Sequence, residues 1–527
     1  MTTNSSFTTI GATLAEATAD SPDRPFLIDQ ERTTTFAALK LRADMVSQGL
    51  IERGYSPGDR LAVAVTNRRE WAEVFFGAAQ IGVVVVTLNV RYRESELEYM
   101  LNQSESRGVV AHASLAGFDY VGFYQDFMSR IPTVKDLFFL DHPSYESLVD
   151  HEANISALEV ATNGVVPSDP AVILYTSGTT GRPKGATITH QSILSSAIAQ
   201  VEHFATAPND SMAGHLPFNH VGGITCTLVG SLVARSSIHL IESFSAAEAI
   251  RVLSTGQLTT FSGVPTMFVL LLANPDLAKV DTRKIRNVVV GGSNVEPALL
   301  AKLKVVFPSA RLFNLYGLSE TSGSCIISSP TDTDEQITST IGEATGEYEL
   351  RCVDLNMNPV PKGSEGELQV RGDCVISGYW RMPEETSAAI SDDGWLSTGD
   401  MAIIRQDDHV VLKGRKKEMF IQGGYNVYPV EVENVLTQHP SVAMAAGIPV
   451  DDSHMGEVGR YYIQLRVGHA ATPEELIEFC TSRLADYKLP RQIVFVEEFP
   501  LTPVGKIQKS VLKERITAQV HSVRPSH

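Results

Sequence analysis

The N-terminal part of the chain alternates short apolar runs with segments of helical spacing, and this rhythm limits the folds it can adopt. Residues 61–65 and 83–86 are apolar runs typical of buried strands, the second rich in β-branched side chains. Residues 69–79 lie between them with helical spacing, and Ser95 and Glu98 have the spacing of a capping box. Strands that alternate with helices pair into parallel sheets through crossover units. We therefore predict an α/β region of doubly wound sheets.

The same rhythm continues further along the chain. A helical segment follows residue 190, and Ser245 and Glu248 form a second predicted capping box. The apolar run 288–290 leads into a Gly-Gly-Ser turn at 291–293, and the run 312–315 leads into a turn at 316–320. Both turns are strand-end loops, which is where open α/β sheets bind ligands.

The pattern changes from about residue 341. Alternating segments at 347–354, 366–371 and 410–412 predict a small antiparallel β subdomain. A charge cluster at 414–418 marks the best boundary, so the predicted domains are residues 1–414 and 415–527.

The C-terminal part has its own helix and strand signals. Pro429 suits the first turn of a helix that runs to Leu436, and Thr472 and Pro473 mark another helix start. Predicted strands at 442–448, 461–467 and 493–496 complete a small α+β domain.

The loop at residues 175–185, Tyr-Thr-Ser-Gly-Thr-Thr-Gly-Arg-Pro-Lys-Gly, contains the densest set of anion-binding groups. Its glycines allow a close backbone approach, while its hydroxyls and Lys184 supply donors and positive charge. It lacks the Gly-Lys-Ser/Thr ending of a Walker A loop. The pattern predicts a phosphate-binding loop, and the alternative is a polar linker between two strands.

Composition narrows the classes of function. The net charge of −18 argues against a general nucleic-acid or anionic-membrane binder. The five cysteines are widely spaced and show no metal-ligand pattern, which favours a reducing compartment. The longest apolar run is too short to span a bilayer, and the N-terminus lacks a signal-peptide core. We expect a cytoplasmic protein with no integral membrane segment.

Four residues are candidates for chemistry, each with a plainer alternative. Glu320 could hold Mg²⁺ or serve only as an acid at a helix N-terminus. Asp400 could accept from ribose hydroxyls or be an ordinary turn aspartate. Lys506 lies in a Pro/Gly-shaped loop where lysines are usually solvated, and a lone histidine such as His220 is usually structural.

Six segments, residues 175–185, 216–223, 314–320, 394–400, 414–433 and 500–506, carry motif-like patterns in a fixed order. In these six segments the chain resembles the adenylate-forming superfamily of acyl-CoA synthetases, luciferases and peptide-synthetase adenylation domains. The resemblance covers nearly the whole chain and implies a large N-terminal domain followed by a small, mobile C-terminal domain.

The resemblance implies ATP, Mg²⁺ and coenzyme A as ligands, and it assigns roles by position. The phosphate-loop residues that would bind ATP are Thr176, Ser177, Gly178, Thr179, Thr180 and Lys184. Tyr316 would stack on adenine opposite the turn of Gly292 and Ser293, in a site completed by Asn314 and Gly317. Ser319 would contact the α-phosphate, and Glu320 would hold Mg²⁺.

The later motifs imply the remaining roles. Asp400 and Arg415 would hold the ribose, and Lys417 would be the hinge residue. Lys506 would bridge the substrate carboxylate and the α-phosphate. Gly424 would line the pantetheine tunnel. In the earlier motif 216–223, His220 would lie beside the acyl carboxylate.

The sequence departs from the family pattern at three places. Ser319 stands where threonine is usual, and the hydroxyl is kept. Asn219 stands where an aromatic residue commonly precedes the motif histidine, at the wall of the expected acyl pocket. Lys509 stands where arginine is frequent.

The resemblance predicts an acid–CoA ligase, with other members of the superfamily as alternatives. The main alternative is a stand-alone adenylation enzyme that loads a carrier protein; amino-acid activation is disfavoured because residues 216–235 contain no acidic side chain. A luciferase-like oxidative enzyme and a non-catalytic nucleotide-binding protein are further alternatives.

The acid itself is predicted from the residues expected to line its pocket. Segments 220–228, 264–267, 291–294 and 314–317 are mostly apolar or small, which favours a medium-chain, alicyclic or aromatic monocarboxylic acid. Only analogy with the family suggests a homodimer.

Overall fold

The structure is a computed structural model that describes residues 8–30, 32–151, 154–176, 182–292, 295–422, 424–452, 454–501, 507–509 and 511–513. The predicted site residues Ser177, Gly178, Thr179, Thr180, Ser293 and Lys506 lie outside the described residues.

The strands follow one another in this order along the first part of the chain: β1 (Pro25–Ile28), β2 (Thr33–Thr35), β3 (Arg60–Ala64), β4 (Val84–Thr87), β5 (Gly108–His112), β6 (Ser114–Leu115), β7 (Phe118–Asp119), β8 (Asp136–Leu140), β9 (Pro170–Thr176), β10 (Lys184–Thr189), β11 (Ser211–Gly214), β12 (Ser237–Leu240), β13 (Thr260–Gly263), β14 (Asn287–Gly291), β15 (Arg311–Leu318), β16 (Gly323–Ile327) and β17 (Glu343–Ala344). The remaining strands are β18 (Glu349–Val353), β19 (Glu365–Arg371), β20 (Gly378–Tyr379), β21 (Leu396–Ile404), β22 (Val410–Arg415), β23 (Phe420–Gln422), β24 (Tyr425–Val427), β25 (Val442–Asp452), β26 (Gly456–Leu465) and β27 (Gln492–Phe495).

The helices, in chain order, are α1 (Ile10–Asp20), α2 (Phe36–Glu52), α3 (Arg69–Gln80), α4 (Glu94–Ser104), α5 (Tyr120–Phe127), α6 (Pro143–Val149), α7 (Ile155–Asn163), α8 (His190–His203), α9 (Val221–Gly223), α10 (Gly230–Ala234), α11 (Ala246–Leu253), α12 (Pro265–Ala273), α13 (Pro297–Val306), α14 (Asp334–Ser339), α15 (Pro383–Ala389), α16 (Pro429–Leu436) and α17 (Pro473–Thr481). A π-helical stretch, Ile224–Val229, joins α9 to α10.

The chain forms two compact units. The first comprises Met1–Val295, Leu299–Leu350 and Val370–Leu396, and the second comprises Glu296–Ala298, Arg351–Gln369 and Ser397–His527. Residues 296–298, 351–369 and 397–414 thus belong to the second unit, although they precede the domain boundary that the sequence predicts at 414. The hinge near 415–417 stays a prediction.

Two large sheets build the first unit and confirm the α/β prediction. A seven-stranded sheet has the order β20-β10-β9-β4-β3-β5-β8, and a nine-stranded sheet has the order β17-β16-β15-β14-β13-β11-β12-β1-β2. Their central strands are parallel, because crossover helices connect them. Strands β9 and β10 instead form an antiparallel hairpin.

Helices cover both faces of each large sheet, as doubly wound sheets require. One apolar core contains Trp71 and Phe75 of α3 together with strand residues of both sheets, such as Val63 and Ile238. Separate apolar clusters cover the far face of the seven-stranded sheet and the far face of the nine-stranded sheet. Continuous apolar strands such as β4 are therefore buried on both sides.

The helix-start predictions met different outcomes. Ser245 caps α11 by accepting from the Glu248 backbone N–H at 3.1 Å, which confirms the predicted helix start. The other half of the predicted capping box is absent, because the Glu248 side chain pairs with Arg251 at 2.8 Å instead of with the Ser245 backbone. The Ser95–Glu98 capping box is wrong, because the N-cap of α4 is Arg93, two residues before Ser95, and the helix begins at Glu94. The backbone N–H of Arg93 donates to Glu96 at 3.1 Å instead, while Glu98 pairs with Arg130.

The second unit contains most of the predicted antiparallel sheet and the α+β part. The small sheet has the order β18-β19-β21-β22. A five-stranded sheet, β24-β23-β26-β25 with β27 beside β26, packs with α16 and α17 around Val432, Tyr461 and Leu476. The predicted starts of both helices, Pro429 and Thr472, are confirmed.

The β25–β26 hairpin is longer than the sequence pattern indicated. Its pairing runs from Val442 opposite Leu465 to Asp452 opposite Gly456. The polar run around Asp451 hid this end, because backbone pairing in a hairpin does not require apolar side chains. No helix among the described residues has the length and apolarity needed to cross a membrane.

Candidate active site

The predicted phosphate-binding loop connects the two strands of a hairpin. Thr176 ends β9 and Lys184 begins β10, and these two residues lie opposite each other in the register. Just before Lys184, the Pro183 carbonyl accepts a hydrogen bond from the hydroxyl of Tyr99 of α4 at 2.9 Å. The two ends of the loop are therefore held together by strand pairing, at the edge of a buried sheet.

Glu320 lies next to these loop ends, on a 3₁₀ turn that follows β15. The hydroxyl of Thr176 lies 3.5 Å from Glu320 Oε1, at the outer limit for a hydrogen bond. The Glu320 carbonyl accepts from the Ile376 backbone N–H at 3.1 Å. Ser319, the preceding residue, is 9% exposed. Residues from both large sheets meet here. The turn predicted at 316–320 is shorter than expected, because Tyr316, Gly317 and Leu318 pair with β16 and extend β15.

Tyr379 is a part of this site that the sequence reasoning missed. Its hydroxyl donates to Glu320 Oε1 at 2.9 Å, and Lys184 Nζ lies 5.0 Å from the centre of its ring. Burial, and then the charge of Glu320, raise the pKa of Tyr379, so the phenol stays a donor. Tyr379 lies 59 positions from Glu320 in the chain, and no local pattern links the two.

Among the residues that the structure describes, no ion pair neutralises the charges at this site. Within the described part of the chain, no ion pair involves Glu320 or Lys184. No group of three or more His, Cys, Asp or Glu side chains suitable for a metal occurs among the described residues. A single carboxylate nevertheless fits Mg²⁺, which commonly uses one or two carboxylates together with phosphate oxygens and water.

The residues predicted to surround the adenine come from neighbouring strand ends. Gly291 at the end of β14 pairs with Leu315 of β15, which brings Gly292 close in space to the strand of Tyr316. Tyr316 is 9% exposed. Gly317 has a packing role of its own, because a Cβ there would lie 1.9 Å from the Gly323 carbonyl oxygen.

Asn314 is held by the interior of the first unit. It is 1% exposed, and its side-chain amide donates to the Thr340 carbonyl at 3.0 Å and to the Ile337 carbonyl at 3.4 Å. A contact of this amide with a nucleotide would require those bonds to break. Its role in ligand binding stays a prediction, while its role in anchoring the end of α14 is a finding.

His220 lies at the N-terminus of α9, and its Nδ1 accepts from the Gly222 N–H at 3.2 Å. The loop that leads to it is fixed by Asn67, which sequence reasoning missed. The Asn67 amide donates to the Gly214 and Leu216 carbonyls at 3.0 and 2.8 Å, and its oxygen accepts from the Phe218 N–H at 2.9 Å. A polar residue just after the apolar run 61–65 was the only available signal.

The four segments predicted to line the acyl pocket belong to four neighbouring strands of the nine-stranded sheet or come after them. Segment 220–228 comes after β11 and segment 264–267 directly follows β13, whereas segment 291–294 begins with the last residue of β14 and segment 314–317 lies within β15. Residues 293 and 294 of the third segment lie outside the described residues. The carboxyl ends of parallel strands meet at one edge, which brings these segments together.

The second unit brings together the two residues predicted to hold the ribose. Asp400 of β21 and Arg415 of β22 are register partners, and Arg415 Nε lies 2.7 Å from Asp400 Oδ1. Lys417 is exposed on the 3₁₀ turn Lys416–Glu418. Gly424 is exposed with a φ of +89°, in the left-handed region that favours glycine.

The cysteines show no sign of nucleophilic use. Cys325, Cys352, Cys374 and Cys480 are buried, and none of the five cysteines forms a disulfide with another described residue. Burial raises the pKa of both Cys352 and Cys480 to about 11. These thiols are therefore protonated near neutral pH, when only a thiolate would be reactive.

Comparison with protein families matches both parts of the chain. A family described as AMP-binding enzyme matches residues 14–380, and the AMP-binding enzyme C-terminal domain matches residues 431–506.

Individual relatives cover nearly the full length. A medium-chain acyl-CoA ligase, ACSF2, from Mus musculus is 31% identical over 97% of this chain and 88% of its own length. The putative acyl-CoA synthetase YngI from Bacillus subtilis is 30% identical over 96% of this chain and 97% of its own length. The crystal structure of ATP-bound MatB from Rhodopseudomonas palustris superposes with a TM-score of 0.83 at 26% identity, covering 96% of this chain and 99% of its own. The chain thus belongs to the AMP-binding enzyme family, in the acyl-CoA synthetase branch of the adenylate-forming superfamily, and is an AMP-forming acid–CoA ligase.

Proposed function

We propose that this enzyme uses ATP to activate a medium-chain, alicyclic or aromatic monocarboxylic acid and then transfers the acyl group to coenzyme A. The observation that carries the ATP-dependent step is the cluster of Lys184, Glu320 and Thr176. Lys184 and Thr176 flank the Gly/Ser/Thr-rich loop, and Glu320 lies beside Thr176. Neither Lys184 nor Glu320 has an ion-pair partner among the described residues. Such a cluster suits a polyphosphate with a divalent cation.

The first half-reaction joins two anions. An oxygen of the substrate carboxylate attacks the α-phosphorus of ATP, the bond to the β-phosphate oxygen breaks, and pyrophosphate leaves. Lys184 and the loop hydroxyls hold the departing phosphates, and Lys506 donates to the carboxylate and the α-phosphate. Mg²⁺, held by Glu320, would supply positive charge against the charge that develops on the phosphates. A hydrogen-bond donor such as Lys506 typically lowers the activation free energy by about 3–4 kcal/mol.

The second half-reaction needs no nucleophile from the protein. The sulfur of the coenzyme A thiolate attacks the acyl carbonyl carbon, and AMP leaves with the electron pair of the broken bond. The buried, protonated cysteines fit this scheme because none of them is required. Rotation of the C-terminal domain about Lys417 would remove Lys506 from the reacting groups and bring the segment of Gly424 to them. Gly424 is exposed.

The choice of acid is supported by the residues of the proposed pocket. Segments 220–228, 264–267, 291–294 and 314–317 contain no lysine or arginine that would hold a second carboxylate, and their single histidine, His220, is assigned to the reacting carboxylate. The relative from Mus musculus is named a medium-chain acyl-CoA ligase. A panel of C6–C12 fatty acids, alicyclic acids, aromatic acids and dicarboxylic acids, assayed by pyrophosphate release, tests this part. Turnover of a dicarboxylic acid above all monocarboxylic acids would refute it.

Paired variants test the two half-reactions. Lys506→Ala should reduce acyl-adenylate formation by about 10²–10³-fold, yet leave transfer from preformed acyl-adenylate to coenzyme A within a fewfold of the wild type. Gly424→Trp should do the converse. Gly424→Ala is its matched control. Both substitutions place a side chain on a residue with a left-handed backbone conformation, but only tryptophan adds a large side chain. Equal losses in both half-reactions would refute domain alternation.

A carrier protein is the alternative acceptor. Pyrophosphate release with and without coenzyme A, followed by mass detection of the acyl thioester, separates the two acceptors. If the acyl-adenylate forms but coenzyme A neither accelerates release nor becomes acylated, the carrier-protein alternative replaces the proposal. We further propose a cytoplasmic location, in keeping with the relative from Bacillus subtilis.

A further inference from the structure

Tyr379 contacts both charged residues of the candidate site, and nothing in the proposed chemistry assigns it a role. It lies on the edge strand β20, opposite Ala186 of β10. Its backbone N–H donates to the Thr386 hydroxyl at 2.9 Å, and the next residue, Trp380, donates to the Gly185 carbonyl at 2.7 Å. The backbone of Tyr379 is therefore fixed by the same hairpin that ends in the phosphate-binding loop.

The hydroxyl and the ring of Tyr379 contact different residues. The hydroxyl donates to Glu320 Oε1 at 2.9 Å, and the ring faces Lys184 Nζ at 5.0 Å from its centre. Within the described residues, the side-chain hydrogen bonds to Glu320, from Tyr379 and Thr176, both involve Oε1. Oε2 thus receives no hydrogen bond from the described part of the chain.

A neutral donor suits a carboxylate that has to bind a cation. A lysine or arginine in the place of Tyr379 would orient Glu320 but also cancel its charge, as ion pairs do. A phenol orients the carboxylate through one oxygen and leaves its negative charge for an incoming ligand. The ring also presents its negative face to Lys184, which favours a cation at that position.

We propose that Tyr379 is a positioning residue, whose hydroxyl holds Glu320 ready to receive Mg²⁺ and whose ring holds Lys184 ready to receive the phosphates of the same nucleotide. This inference rests on the proposed function. It separates the two effects within one side chain, because Tyr379→Phe removes the hydroxyl and keeps the ring, while Tyr379→Leu removes both.

Binding of a non-hydrolysable ATP analogue, measured by calorimetry in excess Mg²⁺ and in EDTA, tests the proposal without turnover. For Tyr379→Phe, the affinity in EDTA should stay within about twofold of the wild type, while the gain in affinity on adding Mg²⁺ should fall about tenfold. For Tyr379→Leu, the affinity in EDTA should also fall about threefold, because the contact with Lys184 is lost.

Two controls separate positioning from damage to the fold. Tyr55→Phe removes a similar bond, from a phenol to Asp136 Oδ2 at 3.1 Å, and should leave both affinities unchanged. In a Glu320→Gln background, Tyr379→Phe should change the Mg²⁺-dependent gain by less than twofold, since its target carboxylate is absent. Melting temperatures of all variants establish that they are folded.

The outcomes discriminate clearly. A full Mg²⁺-dependent gain in Tyr379→Phe would overturn the positioning role, as would an equal loss of affinity with and without Mg²⁺. An additive effect in the Glu320→Gln background would also overturn it. If the wild type binds the analogue equally well in EDTA and in Mg²⁺, the metal site of the proposed function fails instead.

Discussion

The carboxylates of Glu320 and Glu433 have opposite electrical surroundings. Glu320, in the first unit, contacts the hydroxyls of Tyr379 and Thr176, which are neutral. Glu433, in the second unit, pairs with Lys509 at 2.8 Å and accepts from the Gly447 N–H at 2.6 Å. Among the described residues, no cation pairs with the first carboxylate, whereas the ammonium group of Lys509 pairs with the second.

The Glu433 pair belongs to a larger cluster. Lys509 also lies 2.7 Å from Glu418, which follows the predicted hinge residue Lys417. On the other side of that residue, Lys416 lies 2.7 Å from Glu367. The two carboxylates raise the pKa of Lys509 against the opposing effect of burial, so the lysine stays charged. Removing one partner of such a pair leaves an uncompensated charge in a mostly buried site.

The largest expected effect is on the rate of pyrophosphate release, when the carboxylate of Glu320 is replaced by an amide. Glu320→Gln should reduce pyrophosphate release by about 10²–10³-fold, because the metal loses its carboxylate. The melting temperature should stay within about 2 °C, since no ion pair among the described residues is broken. The measurements are a pyrophosphate assay and thermal unfolding.

The exposed Glu347→Gln is the control for this substitution and should be neutral in both measurements. A Glu320→Gln enzyme that melted far below the wild type would show that Glu320 is a structural residue. The contrast between the two carboxylates would then be lost.

A smaller effect, of the opposite kind, is expected at Glu433. Glu433→Gln should lower the free energy of unfolding of the second unit by about 2–3 kcal/mol, because Lys509 loses one of its two partners in a mostly buried site. Adenylate formation should fall less than tenfold at a temperature where the variant is folded. Urea unfolding of the full chain, monitored together with activity, checks both values.

Glu474→Gln serves as the control in the same unit, because Glu474 is exposed on the first turn of α17. It should cost less than about 0.5 kcal/mol. If Glu433→Gln behaved like this control, the cluster around Lys509 would carry no stability and the comparison would fail for the second unit.

The smallest effect concerns a buried histidine of the first unit. Both ring nitrogens of His215 lack a hydrogen-bond partner within the described residues, and burial lowers its pKa to about 4. An unfolded histidine binds a proton near pH 6.5, so stability is lost as the pH falls from about 6.5 towards 4. His215 should contribute about 1–2 kcal/mol of destabilisation by pH 5.

His215→Met should flatten this dependence and leave stability near pH 7.5 equal or higher, because it removes an unsatisfied polar group. Chemical denaturation at pH 5 and pH 7.5 provides the measurement. The exposed His469→Met should leave the pH dependence unchanged. An unchanged slope in His215→Met would place the acid sensitivity elsewhere.

Much of the fold could be predicted because it depends on patterns local in the chain. The starts of α11, α16 and α17 follow from a cap or an N-terminal proline that acts within one turn. The start of α4 was predicted wrongly because Glu96, and not Glu98, accepts from the N-cap backbone. Glu98 pairs with Arg130, which is remote in sequence.

The candidate site divides in the same way. Lys184, Glu320 and Asp400 could be named because each lies in a motif of consecutive residues. Tyr379 and Asn67 could not, because their partners are 59 and about 150 positions away in the chain. The amide contacts of Asn314 were equally hidden, since they depend on the path of the chain after residue 330.

The sequence by itself determined the alternation of strands and helices, the order of the motifs and the chemical groups at the phosphate loop. These depend on apolar periodicity and on residues near one another in the chain. Only the tertiary structure decided which charges are neutralised. Glu320 and Glu433 are the same residue type in the sequence, and what differs is whether the fold brings a phenol or an ammonium group to the carboxylate.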